Sequence, residues 1–269
     1  MTWRPLWAIV RRELIRTLRQ RGRLVSALVR PLIWLLVIGG GFGALLTQTG
    51  SAGYQHFLVP GLIGMALLFG ALLASLSLVY DKESGVMRML LIAPIPRGGI
   101  VVARTFSAAA AAILQALALT AVLLVIGYFP LSVSVPLFVA ALVATALACA
   151  AMGMLIAVWT KTLDNFAVIM NFVIFPVFFL SGALYPIGHL PAALKAATLL
   201  NPFSYGVDLL KHALGVGASG AFAADFSMAL DLAVLLGFTA AATGIAALRF
   251  SRDSFMEGFT ALLGGPRRD

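Results

Sequence analysis

Six long apolar stretches constrain the fold of this chain more than any other feature. Each is about 20 residues or longer, the length that an α-helix needs to cross a bilayer, and a charge at the centre of such a helix costs about 2.5–3.5 kcal/mol. Open strands would leave backbone groups unpaired in lipid. We therefore predict an all-α, polytopic membrane protein with six transmembrane helices. The predicted spans are 26–47, 57–79, 100–127, 136–159, 166–187 and 229–249.

The composition agrees with a membrane protein. The chain has 269 residues, of which 61% are hydrophobic and 11% are charged, against about 45–50% and about 25% in an average soluble domain. A soluble core has no place for this much apolar surface, so we interpret residues 1–269 as one membrane domain. The net charge of +9 does not indicate nucleic acid, because the basic residues adjoin the predicted spans. Anionic membrane lipids are the expected partners of these residues.

The distribution of basic residues predicts the orientation. With six spans, seventeen of the nineteen Lys and Arg residues fall on one side of the membrane, and the opposite side holds only Lys195 and Lys211. By the positive-inside rule, both termini and the 80–99 loop are then cytoplasmic. We expect a multi-pass protein of the bacterial inner (cytoplasmic) membrane. With an odd number of spans, the basic residues would no longer separate into one rich and one poor side of the membrane.

Two segments outside the spans are also predicted to be helical. Residues 3–22 place apolar and basic side chains on opposite faces at helical spacing, which indicates an amphipathic helix lying on the membrane. A solvated basic tail is the alternative. Residues 188–226 contain two helices too short to span, one opened by Pro191 and the other closed by Gly215. We interpret these outer helices as re-entrant or interfacial, between spans five and six.

The sequence contains no motif typical of catalysis or of cofactor binding. The pattern G-x-x-x-x-G-K-[ST] is missing, so the chain cannot bind ATP in the P-loop manner. We interpret His56, His189 and His212 as isolated residues in or beside outer loops, and not as metal ligands. We therefore expect no catalytic residue, no cofactor and no metal site in this chain.

The predicted fifth span is rich in phenylalanine and contains Pro176, which should kink it. One interpretation is an adaptable, apolar wall of a transport path. The other is ordinary phenylalanine that faces lipid or packs between helices. A buried asparagine in this span would need a polar partner. The candidate path residues are Asn171, Phe172, Phe175, Phe178 and Phe179.

Two stretches carry a family resemblance. The first is YDKESG at 80–85, and the second is FLSGALYP at 179–186, which continues with Asn-Pro-Phe-Ser-Tyr at 201–205. With the six spans and the long last outer loop, they make the chain resemble permeases of the ABC-2 exporter family, in particular the branch with nodulation-factor and daunorubicin-type exporters. Within the second stretch we interpret a set of residues as structural. They are Tyr185, Pro186, Asn201, Pro202, Tyr205 and Asp208.

The resemblance implies a non-catalytic permease subunit of an ATP-driven ABC exporter. It implies a second permease copy, taken as a homodimer that forms the translocation path. It also implies two copies of a cytoplasmic ABC ATPase, which bind ATP and Mg in place of this chain. The phenylalanine-rich fifth span favours an amphiphilic or hydrophobic cargo. The alternatives are an ion-coupled carrier or channel that acts without an ATPase, and a membrane enzyme or assembly factor.

A permease of this kind must receive work through a cytoplasmic surface, and the 80–99 loop has room for a short helix. We predict that helix from Glu83 to Leu91, ended by Pro94 and Pro96. Its apolar side chains would form an exposed stripe that the ATPase takes up. The alternative is a stripe that rests on the bilayer. The predicted coupling residues are Glu83, Gly85, Val86, Met87, Leu90 and Leu91.

Overall fold

A computed structural model describes residues 10–11, 15, 21–41, 54–87, 96–130, 133–216 and 223–262 of the chain. No strand occurs within these residues, and the prediction of an all-α fold is confirmed. The α-helices of the described ranges are α1 (Arg21–Trp34, continued by a π-helical turn over Leu35–Gly39), α2 (Tyr54–Glu83), α3 (Arg97–Val125), α4 (Val135–Trp159), α5 (Leu163–Phe179), α6 (Ala192–Leu200), α7 (Pro202–Leu214) and α8 (Met228–Leu262).

Four helices within the described residues are long and apolar enough to cross a membrane. They are α2, α3, α4 and the part of α8 from Met228 to Arg252, and they cover the predicted spans two, three, four and six. The predicted spans one and five fall on shorter apolar helical segments, Leu28–Gly39 and Leu163–Phe179. The count of six spans therefore stays a prediction. The predicted amphipathic helix 3–22 lies largely outside the described residues.

Helix α5 ends at Phe179, so the predicted end of span five at residue 187 is wrong. A turn follows, in which the Leu180 N–H donates to the Pro176 carbonyl (2.9 Å) and the Ser181 hydroxyl donates to the Phe178 carbonyl (2.6 Å). Gly182 then takes a left-handed conformation with φ of +73°, which side chains with a Cβ rarely adopt. The apolar run continues past this turn, and apolar length alone therefore overestimated the helix.

The helix bundle has two chemically different ends. At one end, the last residues of α2 contact the turn between α4 and α5, and the start of α3 contacts α8. We name it the basic end, because most basic side chains of the described helices lie there. At the other end, the last turn of α7 lies beside the first residues of α4 and α8, and Tyr54 at the start of α2 contacts Leu184 in the segment after α5. We name it the capped end.

Small residues let the helices approach closely at the capped end. A Cβ on Gly61 of α2 would lie 2.5 Å from the carbonyl oxygen of Ala183, in the turn after α5. A Cβ on Gly206 of α7 would lie 2.6 Å from the Cγ2 of Thr145 in α4. Contacts this close require glycine, as at other helix interfaces within membranes. They fix α2 against the turn after α5, and α7 against α4.

Helix α7 is buried along most of its length, although it carries Asp208, Lys211 and His212. It packs against α2, α4 and α8, and Phe203, Val207 and Leu210 belong to the hydrophobic core. Gly215, with φ of +63°, caps its last turn. The two short helices predicted between spans five and six are thus present as α6 and α7. Their re-entrant or interfacial position stays a prediction.

Candidate functional site

The last turn of α2 binds both sides of the turn between α4 and α5. The Lys82 ammonium donates to the carbonyls of Ala157 (2.9 Å) and Val158 (2.8 Å), which are among the last carbonyls of α4 that lack a helical partner. The Leu163 N–H, at the start of α5, donates to the Glu83 carboxylate (2.9 Å). A cation at a helix C-terminus and an anion at a helix N-terminus both complement the helix dipole. Two consecutive side chains thus connect α2 to α4 and α5.

The predicted coupling helix from Glu83 to Leu91 is broken at its start. Glu83 ends α2, and Gly85 follows with φ of +75°, after which Val86 and Met87 are helical again. Val86 is exposed, as an apolar docking stripe requires, whereas Met87 is only 7% exposed and belongs to the core. The prediction that Met87 lies on an exposed stripe is therefore wrong. Leu90 and Leu91 lie outside the described residues.

A buried ion pair joins α2 to α3 just inside the basic end. Arg104 of α3 is 1% exposed, and its guanidinium forms a salt bridge with the Asp81 carboxylate and donates to the Ser77 hydroxyl (2.8 Å). The sequence analysis counted Arg104 only as a positive charge of the cytoplasmic side. Its position seven residues inside α3 could have indicated a buried partner, because a lone charge within a membrane helix is costly.

Most of the predicted path residues share one exposed face of α5. Phe172, Phe175 and Phe179 are 81%, 52% and 37% exposed, and Asn171 beside them is exposed as well. The rings of Phe175 and Phe179 stack with their centroids 6.3 Å apart. Helical spacing places these phenylalanines in one row. The row is a continuous aromatic surface that the described residues of this chain do not cover.

One of the path predictions does not fit that face. Phe178 is 2% exposed and packs edge-on against Trp34 of α1, with ring centroids 5.8 Å apart, and against Phe203 of α7. It therefore belongs to the core. Asn171 is exposed, so it is not the buried amide that would need a polar partner in this helix. The phenylalanine-rich composition of the span identified these residues, but not which of them face the other helices.

The residues predicted to be structural at the capped end bind backbone groups of neighbouring elements. The Asn201 side chain accepts from the Phe203 N–H (3.1 Å), as an N-cap, and donates to the Val177 carbonyl of α5 (2.7 Å). Pro202 follows at the first position of α7. The Tyr205 hydroxyl donates to the Leu199 carbonyl (2.9 Å). These contacts tie α5, α6 and α7 together.

The remaining residues of this set bind the backbone in the same way. The Tyr185 hydroxyl donates to the Phe179 carbonyl, at the end of α5, and Pro186 leads into a short 3-10 turn at Ile187–His189. Asp208 of α7 accepts from the N–H groups of Asp225 (2.8 Å) and Phe226 (2.9 Å), just before α8 begins. Burial raises the pKa of the Asp208 carboxyl, although these two donors and Lys211 act to lower it.

Asp208 is part of a cluster of ionisable side chains that the sequence analysis missed. Lys211, one turn later in α7, forms salt bridges with Asp208 (3.6 Å) and Asp225 (2.9 Å). His212 lies 3.7 Å from Asp208 and 3.9 Å from Asp231 of α8. The interpretation of His212 as an isolated residue is therefore wrong. The spacing of Asp208, Lys211 and His212 on one helical face was the available signal.

The sequence of this chain is similar to those of known transport proteins. Residues 4–214 match the family described as ABC-2 type transporter. The chain is 30% identical to nodulation protein J of Rhizobium leguminosarum bv. trifolii over 191 residues, which cover 70% of this chain and 72% of that protein. It is 28% identical to the putative transport permease ycf38 of Porphyra purpurea over 211 residues (76% and 72%). It is also 28% identical to the inner membrane transport permease YadH of Escherichia coli strain K12 over 216 residues (78% and 82%).

The family match covers α1 to α7, and therefore both the Lys82–Glu83 contacts at the basic end and the motif at the capped end. The relatives named as transport permeases align over more than two thirds of their own length. The apolar helices, the contacts at the two ends and these matches lead to one assignment. The chain is a multi-pass membrane protein that belongs to the ABC-2 type transporter family.

Proposed function

We propose that this chain is the permease subunit of an ATP-driven exporter in the bacterial inner membrane. Two copies form the translocation path, and two copies of a cytoplasmic ABC ATPase bind ATP and Mg and drive it. Family membership supports an ATPase partner, and the relative named as an inner membrane transport permease supports the location. The excess of Lys and Arg at the basic end supports cytoplasmic termini, because positive charge is retained on that side.

The bridge formed by Lys82 and Glu83 is the observation that carries this proposal. The 80–99 loop is the surface proposed to contact the ATPase, and these two residues lie near its start. Their side chains hold the last carbonyls of α4 and the first N–H of α5. A displacement of the loop by the ATPase is therefore transmitted to the start of α5. Helix α5 is also the helix that carries the exposed aromatic row.

The aromatic row of α5 supports a path shared between two copies. Phe172, Phe175 and Phe179 are exposed in a single chain, and a second copy facing them would enclose an apolar route. Asn171 adds one amide to this surface. Such a wall suits a cargo with a hydrophobic part, because aromatic side chains contribute large apolar contact areas. Phe178 is left out of the path, since it is buried in the core.

Purification from native membranes tests the proposed assembly. The tagged full-length chain, extracted in mild detergent, should retain a P-loop ATPase at one copy per permease, and the complex should hydrolyse ATP. In vesicles that contain the complex, ATP should drive the movement of an amphiphilic probe. Transport of an ion by the purified chain alone, with no ATPase bound, would contradict the proposal and favour an ion-coupled carrier.

Cysteine labelling tests the proposed orientation separately. The native Cys149 is buried and should react little with a membrane-impermeant thiol reagent. A cysteine replacing Ser84 at the basic end should stay unlabelled in cells whose outer membrane has been permeabilised. A cysteine replacing Ser227, which is exposed at the capped end, should be labelled. The reverse pattern would overturn the orientation.

A further inference from the structure

The ionisable cluster at the capped end carries more negative than positive charge. Three carboxylates, from Asp208, Asp225 and Asp231, face one ammonium, from Lys211, and the imidazole of His212. Asp208 and Asp231 are fully buried, and Lys211 is 1% exposed. With all three carboxyl groups ionised and a neutral imidazole, the cluster has a net charge of −2. Buried charge without compensation is expensive, and some cation must offset it.

Asp231 is the group in the cluster that lacks a partner of its own. It lies in the first turn of α8, is 0% exposed, and neither carboxylate oxygen has a hydrogen-bond partner among the described residues. Lys211 is already engaged by Asp208 and Asp225. The neighbouring ligand atom is the Nε2 of His212, at 3.9 Å, too far for a hydrogen bond. The Asp231 side chain is thus a buried carboxyl group that faces two further ligand groups.

The candidate donor atoms lie close together. One ligand atom each from Asp208, His212 and Asp231 lie within 4.8 Å of one another. The Nε2 of His212 is 2.9 Å from the Phe226 carbonyl, 3.7 Å from Asp208 and 3.9 Å from Asp231. Zinc binds nitrogen and oxygen at about 2.0–2.2 Å, so the donors of a tetrahedral site lie about 3.3–3.6 Å apart. The three separations from the His212 Nε2 bracket that distance.

We propose that Asp208, His212 and Asp231 bind one divalent transition-metal ion of the zinc class, with the Phe226 carbonyl as a fourth donor. The ion would replace the proton through which the Nε2 of His212 donates to that carbonyl, as metal binding to imidazole requires the neutral ring nitrogen. An imidazole with two carboxylates suits zinc better than magnesium or calcium, which take oxygen ligands. The two positive charges of one divalent ion cancel the net charge of −2. The ion ties α7 to α8, and this role does not depend on the direction or cargo of transport.

Metal titration of the purified full-length chain tests the site. The protein is stripped with a chelator, dialysed, and titrated with Zn²⁺ against a chromophoric competitor. We expect one high-affinity Zn²⁺ per chain, a rise in the thermal unfolding temperature, and a four-coordinate absorption spectrum with Co²⁺. Asp231→Asn and His212→Gln should each weaken binding by at least about 100-fold, the upper range for loss of even a second-shell group. His56→Gln changes an exposed histidine of α2 and should leave binding unchanged.

Two results would overturn the proposal. One is a wild-type protein without stoichiometric zinc binding, in which case a proton on Asp231 or His212 offsets the charge. The other is zinc binding that survives both Asp231→Asn and His212→Gln. The two variants keep the size of the side chains they replace, and the elution volume in gel filtration confirms that they are folded. ATPase binding is not part of the measurement, so failure here would leave the proposed function intact.

Discussion

The basic end and the capped end hold their buried charges in different ways. At the basic end Asp81 meets Arg104, while Lys82 and Glu83 bind carbonyl and N–H groups at helix termini. Each of these charges faces a group of opposite polarity. At the capped end three carboxylates share one ammonium and one imidazole. At the basic end, the charged side chains therefore bind groups of opposite polarity on neighbouring helices. At the capped end, the carboxylates outnumber the cationic groups, and we propose that a metal ion offsets the difference.

Loss of Arg104 should have the largest effect on stability. Arg104→Met leaves Asp81 buried without its guanidinium partner, and breaking a buried ion pair costs about 3–5 kcal/mol. The double variant Arg104→Met with Asp81→Leu should recover most of this loss, because an apolar pair of similar volume replaces the whole ion pair. Thermal unfolding of the purified protein measures both. Equal losses in the single and double variants would show that the basic end does not depend on matched charge.

A larger side chain at Gly206 should have the next largest effect. The Cβ of Gly206→Val would meet Thr145 of α4 at 2.6 Å, and overpacking of this kind costs about 1–3 kcal/mol. Gly237→Val is the matched control, because a Cβ at Gly237 in α8 meets nothing within 4 Å. The unfolding temperature should fall for Gly206→Val and stay near the wild-type value for the control. Similar values for both variants would mean that α7 is not held tightly against α4.

Glu83→Gln should have a smaller effect on stability. The variant keeps an acceptor for the Leu163 N–H but loses the negative charge at the start of α5, which is worth about 0.3–1 kcal/mol. Thermal unfolding at low and high salt separates the charge from the hydrogen bond, since salt screens an exposed charge. A loss as large as that of Arg104→Met would contradict the distinction between a buried pair and an exposed helix contact.

Asp231→Asn sharpens the comparison, because its effect should have the opposite sign. In chelator-treated protein this variant removes a buried charge that has no hydrogen-bond partner among the described residues, so we expect no loss of stability, or a small gain. Asp81→Asn, by contrast, should destabilise, because it leaves the buried Arg104 without its counter-ion. The unfolding temperatures of the two variants give the test. Equal destabilisation by both substitutions would remove the difference between the ends.

Helix positions and helix ends that depend on a local residue pattern could be predicted from the sequence. Apolar length located α2, α3 and α4, and Gly215 marked the end of α7. The end of α5 was missed, because the apolar run continues through the turn that Gly182 makes.

Contacts between distant residues could not be predicted from spacing. Met87 lies on the apolar side of a short helical pattern, but its burial depends on helices far along the chain. The nearness of His212 to Asp231 depends on how α7 packs against α8. The pairing of Arg104 with Asp81 likewise follows from the packing of α3 on α2. Each of these features could be identified only from the three-dimensional structure.

The most direct test of the proposed function is an apolar-to-charged change at the loop that begins with Lys82 and Glu83. Val86→Asp and Leu90→Asp place a carboxylate on the surface proposed to meet the ATPase, and burying an unpaired carboxylate is costly. Leu200→Asp is the control, since Leu200 is 85% exposed at the capped end. The measurement is ATPase pull-down together with cargo-stimulated ATP hydrolysis. We predict that both loop variants lose binding and stimulation while the control keeps them. Unchanged binding and stimulation in both loop variants would contradict the account.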